Sequence, residues 1–242
     1  MMVSLGLELV ADDPNLTFIF FIALTILSML GLRFAYYAFL NRAETEITTQ
    51  TPIWSHLLYI GVFAALYGIV GLLEIVTSLQ LPYKGVLMLA TTLLLAFAIR
   101  QIHYTATSAD GGAEQARRFE RLTRAVFIGA VFAQAVLLFA LGLSDITAAV
   151  ESLSALAFLG YGLVFYRDQM AAGRLQGTML DSLLRHLLPV LAFAALVGIV
   201  NLAAAVGLDR IIVLHVQVVF VIMTATALMT ATIKLRQNLA SL

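Results

Sequence analysis

The chain has no cysteine, one tryptophan and four prolines, and only 12% of its 242 residues are charged. The missing cysteines exclude a disulfide framework, thiolate zinc sites, iron–sulfur clusters and a cysteine nucleophile, which leaves four histidines as the soft metal ligands besides methionine. Neither sign of charge is in excess, with 14 basic and 14 acidic residues, so the usual electrostatic basis for binding nucleic acid is absent. Apolar surface takes the place of charge. Hydrophobic residues make up 62% of the chain and the mean hydropathy is +0.98, more than one water-facing globule can bury. This is the composition of an integral membrane protein.

A bilayer core of about 30 Å asks for roughly 20 apolar residues per helix. Seven stretches qualify: 15–40, 53–78, 83–106, 122–143, 146–167, 181–205 and 211–234. The longest polar connection, from Thr105 to Arg121, is too short to build a core, so the expected fold is all-α, a single seven-helix transmembrane bundle over residues 1–242. Asp12-Asp13-Pro14, Thr51-Pro52 and Leu81-Pro82 each place proline at a helix start, where its missing amide proton costs nothing. The fourth proline, Pro189, falls inside the sixth span and is expected to kink it, freeing a carbonyl near Arg185.

Ten lysines and arginines lie at one set of helix ends: Arg42, Arg117, Arg118, Arg121, Arg124, Arg167, Arg174, Arg185, Lys234 and Arg236. The opposite ends hold two, Lys84 and Arg210. That asymmetry predicts an outside N-terminus and a cytoplasmic C-terminus in a multi-pass protein of the cell membrane. Residues 1–15 carry Glu8, Asp12 and Asp13 and no basic residue, unlike the start of a cleavable signal peptide, and the first helix is expected to remain.

A charge at the bilayer centre costs from about 3 to above 10 kcal/mol, so ionisable groups within spans are the default functional candidates. Toward the outer side these are Glu74, Glu151 and His215, joined by Asn201 and Gln217, with Lys84 and Arg210 at adjoining helix starts. Facing inward, they would form a polar pocket able to bind a ligand or ion or to pass a proton; at headgroup depth they would be wetted or paired as structural salt bridges. Toward the cytoplasmic side lie Arg33, His56, Arg100, His103, Arg185 and His186. Arg100 and His103, three apart, share a helical face. His56, His103 and His186, on three helices at similar depth, are a candidate set for a metal or a b-type haem, against a structural role at lipid phosphates and helix ends. The span centres hold Tyr67, Thr91, Thr92, Gln134, Tyr161 and Thr224 and no carboxylate, which argues against a continuous ion pathway.

Ala194 with Gly198, and Ala227 with Ala231, have the small-xxx-small spacing that lets helix backbones approach, and predict a tight pairing of the sixth and seventh spans. Trp54, Tyr36, Tyr37, Tyr104 and Tyr166 gather near the cytoplasmic boundary as an interfacial belt would.

In the third span, Lys84 stands seven residues before Thr91-Thr92, which Leu93-Leu94-Leu95 follows. With seven spans, short connections and an outside N-terminus, this pattern resembles the microbial rhodopsins of the archaeal type. The resemblance implies an opsin-like bundle. The family's counter-ion and proton-donor carboxylate positions fall on Leu87 and Ala98, and no lysine stands between Arg210 and Ile233 to form a retinal Schiff base. A covalent retinal pump is thereby rejected, while a non-covalent carotenoid or retinoid stays open.

The last span has only His215 where an intramembrane zinc hydrolase needs a helical histidine pair, and no serine, histidine and aspartate meet at matching depth. The expectation is a non-enzymatic receptor, sensor or scaffold with a small or lipidic ligand site in the bundle. A haem- or metal-binding redox subunit, and a channel or carrier using the outer Glu/His cluster, are the alternatives. Membrane lipid is one expected partner. The loop 107–124, through Arg117, Arg118 and Arg121, is the expected docking surface for another protein, and a homo-oligomer is compatible with the sequence.

Overall fold

The computed structural model describes residues 10–44, 51–77, 79, 81–107, 114–173 and 175–240, with the backbone alone at 106, 107, 114–120 and 205. A 3-10 turn, Val10–Asp12, precedes α1 (Pro14–Glu44), α2 (Thr51–Thr77), α3 (Lys84–Thr107), α4 (Glu114–Leu141), α5 (Asp145–Ala172), α6 (Met179–Ile199), α7 (Asn201–Ala205) and α8 (Arg210–Ala240). Among the described residues there is no strand. Seven helices are long and apolar enough to cross a membrane, the short α7 continuing the span of α6 to Ala204. The protein is a multi-pass membrane protein.

Helix starts follow the local chemistry. Asp13 Oδ1 accepts the backbone N–H groups of Asn15 and Leu16 at 2.8 and 3.2 Å, satisfying two donors that α1 leaves open around Pro14. Ser144 and Thr147 form a reciprocal capping box at the start of α5, which ends on Gly173 in the left-handed region at φ 63°. α6 runs through Pro189 as one helix, and the boundary with α7 falls at Val200. Neighbouring helices satisfy the carbonyls just before that boundary. Ser152 Oγ of α5 donates to Gly198 O at 2.9 Å, and Gln217 Nε2 of α8 to Val197 O at 3.4 Å.

α3 is the central strut, packed against α2, α4, α5 and α6, while α1 closes the bundle between α2 and α8. The closest backbone approach is between α1 and α2. A Cβ on Gly31 would lie 2.7 Å from Ala65 N, one on Gly61 2.6 Å from Ala35 N, and one on Gly68 2.7 Å from Leu24 O. Only glycine permits that seam, the membrane equivalent of a steric zipper. Ala194, Ala227 and Ala231 are buried and α6 does pack on α8, but Gly198 faces α5, with Ala155 Cβ 3.4 Å from its virtual Cβ. Trp54 departs from the interfacial belt as well, being 2% exposed inside the bundle, whereas Tyr36 is 57% exposed. α4 is the outlier. It touches only α3 and α5 among its stronger neighbours, and its Phe132 and Phe139 are 71% and 82% exposed, as lipid-facing side chains are.

Candidate functional site

At the end of the bundle where α1 begins, α2 and α6 finish while α3, α5 and α8 start, and five polar residues from these helices converge. Lys84 Nζ, in the first turn of α3, forms an ion pair with Glu74 Oε2 near the end of α2. The other oxygen, Glu74 Oε1, accepts the backbone N–H of Leu81 at 3.1 Å, so the carboxylate also ties down the α2–α3 connection. Glu151 enters from α5. Its carboxylate lies against two glycines: a Cβ on Gly85 of α3 would sit 2.9 Å from Glu151 Oε2, and one on Gly198 3.5 Å from Oε1. Lys84 and Asn201 are near enough to act on this carboxylate electrostatically. Gln217 Nε2 of α8 donates to Asn201 Oδ1 at 3.4 Å. The result is a chain of polar neighbours, Glu74, Lys84, Glu151, Asn201 and Gln217, in which one ammonium is paired with Glu74 and a second carboxylate lies nearby.

Beside this chain opens a cavity of about 570 Å³ between α1, α2 and α8. Phe20, Leu24, Ile75 and Leu214 give it an apolar wall, and Asp12, Glu74, Lys84, Arg210 and Gln217 a polar rim. Its volume lies within the roughly 300–1,000 Å³ range of small-molecule pockets, and an apolar wall with few charged groups is their usual lining. Gly71 belongs to the wall, and a Cβ there would meet Leu24 Cδ1 at 2.8 Å and Lys84 Cδ at 3.4 Å, so its missing side chain keeps the floor open.

The opposite end solves the problem of intramembrane charge differently. Arg100 of α3 is 0% exposed. Its guanidinium lies 5.2 Å from the Phe97 ring centroid and 5.7 Å from that of Tyr104, and Nη1 donates to Tyr161 Oη of α5 at 3.2 Å. Phe127, Phe158 and Phe165 extend the rings around Tyr161, with centroid separations of 4.9–5.0 Å. Cation–π contact and one hydroxyl share the solvation of this cation.

The sequence-expected residues divide accordingly. Glu74, Glu151, Asn201 and Gln217 come together. His215 does not join them: it is exposed on α8, with Nδ1 donating to the Ile211 carbonyl of its own helix at 2.8 Å. Gln134 is buried on α4 and donates from Nε2 to Thr147 O of α5 at 3.0 Å, pinning α4 to the bundle. Of the inner histidines, His56 packs edge-on to Phe97, His103 lies against Tyr104 and Phe165, and His186 Nδ1 donates to Ser182 O at 2.6 Å. Among the described residues no three histidine or acidic side chains gather as metal ligands. Arg121 is exposed on α4, while the side chains of Arg117 and Arg118 and most of the loop before them lie outside the described residues. Two features escaped the sequence reading: Lys84 as the ion-pair partner of Glu74, and the aromatic surround of Arg100. Phe97 and Tyr104, at positions −3 and +4 from Arg100 on one helical face, were the available signal for the second. No family model, no curated protein and no solved structure matches the chain.

Proposed function

We propose that the protein is a non-enzymatic seven-helix membrane receptor or sensor, opsin-like in its span order, whose ligand is a small amphipathic molecule seated in the cavity between α1, α2 and α8. The cavity carries this reading. It sets an apolar wall beside a rim of Asp12, Glu74, Lys84 and Arg210, so a ligand with an apolar body and an anionic head able to compete with Glu74 for Lys84 would match both parts. Lys84 also supplies the means of response. A ligand head that draws this ammonium competes with Glu74 and Glu151 for it, and Glu151 in turn touches Asn201 at the α6–α7 break. Occupancy would thereby alter the packing of α2, α5 and α6 through an ionic contact, the kind of two-state element on which ligand-driven switching depends. The excess of arginine at the opposite end supports a cavity that faces the outer side of the membrane.

A thermal-shift screen of small amphiphiles against purified protein tests the assignment. Leu214→Trp, which fills the apolar wall, and Lys84→Met, which removes the head-group partner, serve as the paired variants. The expected result is a set of carboxylate- or phosphate-headed compounds that raise the Tm of the wild type and leave both variants unmoved. Compounds that stabilise all three proteins equally would place binding elsewhere and overturn the reading.

A further inference from the structure

At the arginine-rich end, α1 and α8 line a second cavity of about 440 Å³. Its polar lining is Arg33 and Tyr37 from α1 and Thr232, Arg236 and Gln237 from α8, over an apolar floor that includes Leu30 and Met229. The lining has two guanidinium groups and no carboxylate, and among the described residues neither arginine belongs to an ion pair. Arg33 lies over the Tyr37 ring at 5.9 Å from its centroid, which holds the guanidinium at the groove. A third cation stands at the rim, where Lys234 Nζ donates to Gln237 Oε1 at 3.1 Å. Depth points the same way: Arg33 is nineteen residues past Pro14, about 28 Å along the helix, near the boundary of a hydrocarbon core of about 30 Å.

We infer that this groove is a binding site for one anionic glycerophospholipid. Its phosphodiester would lie between Arg33 and Arg236 and the first part of an acyl chain along Leu30 and Met229, the latter 46% exposed on the flank of α8. Paired guanidinium groups suit phosphate oxygens because each presents two parallel N–H donors. A basic recess between membrane helices, with an apolar floor reaching into the hydrocarbon region, selects a lipid over a soluble anion because the chain contributes only when it is attached to the head group. The site is separate from the α1–α2–α8 cavity at the other end and does not depend on the function proposed for that cavity.

Native mass spectrometry of the delipidated full chain in detergent, titrated with phosphatidylglycerol or with phosphatidylcholine, tests the inference. The first phosphatidylglycerol is expected to bind about thirtyfold more tightly than phosphatidylcholine, as two near-surface arginines at about 1 kcal/mol each would give. In Arg33→Gln/Arg236→Gln that preference falls to near unity, whereas Arg167→Gln, at the same end of the bundle but on α5, whose main neighbours are α3, α4, α6 and α7, retains it. Equal binding of the two lipids to the wild type, or an unchanged preference in the double variant, would overturn the assignment. So would displacement of the bound lipid by inorganic phosphate at equal concentration, which would mark a simple anion site. Should the double variant not fold, the wild type alone decides: the preference must collapse at high salt, and persistence there contradicts head-group pairing.

Discussion

The two ends of the bundle hold buried or half-buried charge by opposite means. Where α3 begins, Lys84 is paired with Glu74 and has Glu151 within electrostatic reach, and the cluster borders an open cavity. Sixteen residues further along the same helix, Arg100 is fully buried against the rings of Phe97 and Tyr104 and donates to the Tyr161 hydroxyl. An ion pair beside a cavity can be re-formed with a ligand, because a competing anion replaces one partner without exposing the other. A fully buried cation packed on rings and bonded to Tyr161 instead ties α3 to α5. One helix thus carries a rigid end and a responsive end.

The comparison can be broken or sharpened by substitution. Arg100→Ala should have the largest effect, a loss of about 3 kcal/mol or more in thermal or denaturant unfolding, because it opens a void among packed rings. Arg100→Met, nearly as long and uncharged, should recover much of that loss if packing rather than charge anchors this end, since apolar replacements of buried charges are often tolerated. Recovery only by lysine would instead make the charge itself essential.

At the responsive end, Lys84→Met leaves Glu74 and Glu151 without their common cation and should cost about 1–3 kcal/mol. Combined with Glu74→Gln and Glu151→Gln, the same change should cost less than it does alone, a non-additivity that independent sites would not show. Tyr161→Phe removes one interhelical hydrogen bond and should cost about 0.6 kcal/mol in detergent unfolding. Phe139→Ala on the lipid-facing side of α4 should change stability by no more than about 0.5 kcal/mol; a larger effect would mean that α4 packs against something beyond this chain.

Much of the architecture was legible in the sequence because the bilayer imposes it. Seven apolar runs of sufficient length give seven helices, with Asp13-Pro14 and Thr51-Pro52 marking two of the starts. Rotation about each helix axis was not legible, since a lipid-facing and a bundle-facing residue are both apolar. That is why His215 and Gln217, two residues apart on α8, looked equivalent, although one turns outward and the other reaches Asn201. It is also why the tightest seam lies at Gly31, Gly61 and Gly68, whose spacing across α1 and α2 becomes informative only once the register between the helices is known. Pro189 drew attention from Val200, where the span is interrupted, because a proline is visible in a sequence while a break satisfied by Ser152 and Gln217 depends on partners from other helices.

The most direct test of the ligand-bearing cavity is mass spectrometry of the small molecules released from protein purified gently out of its native membrane, wild type beside Leu214→Trp. The account predicts an amphipathic species at near-stoichiometric amount in the wild type and its absence from a folded Leu214→Trp. The same species in equal amount on both proteins would contradict it.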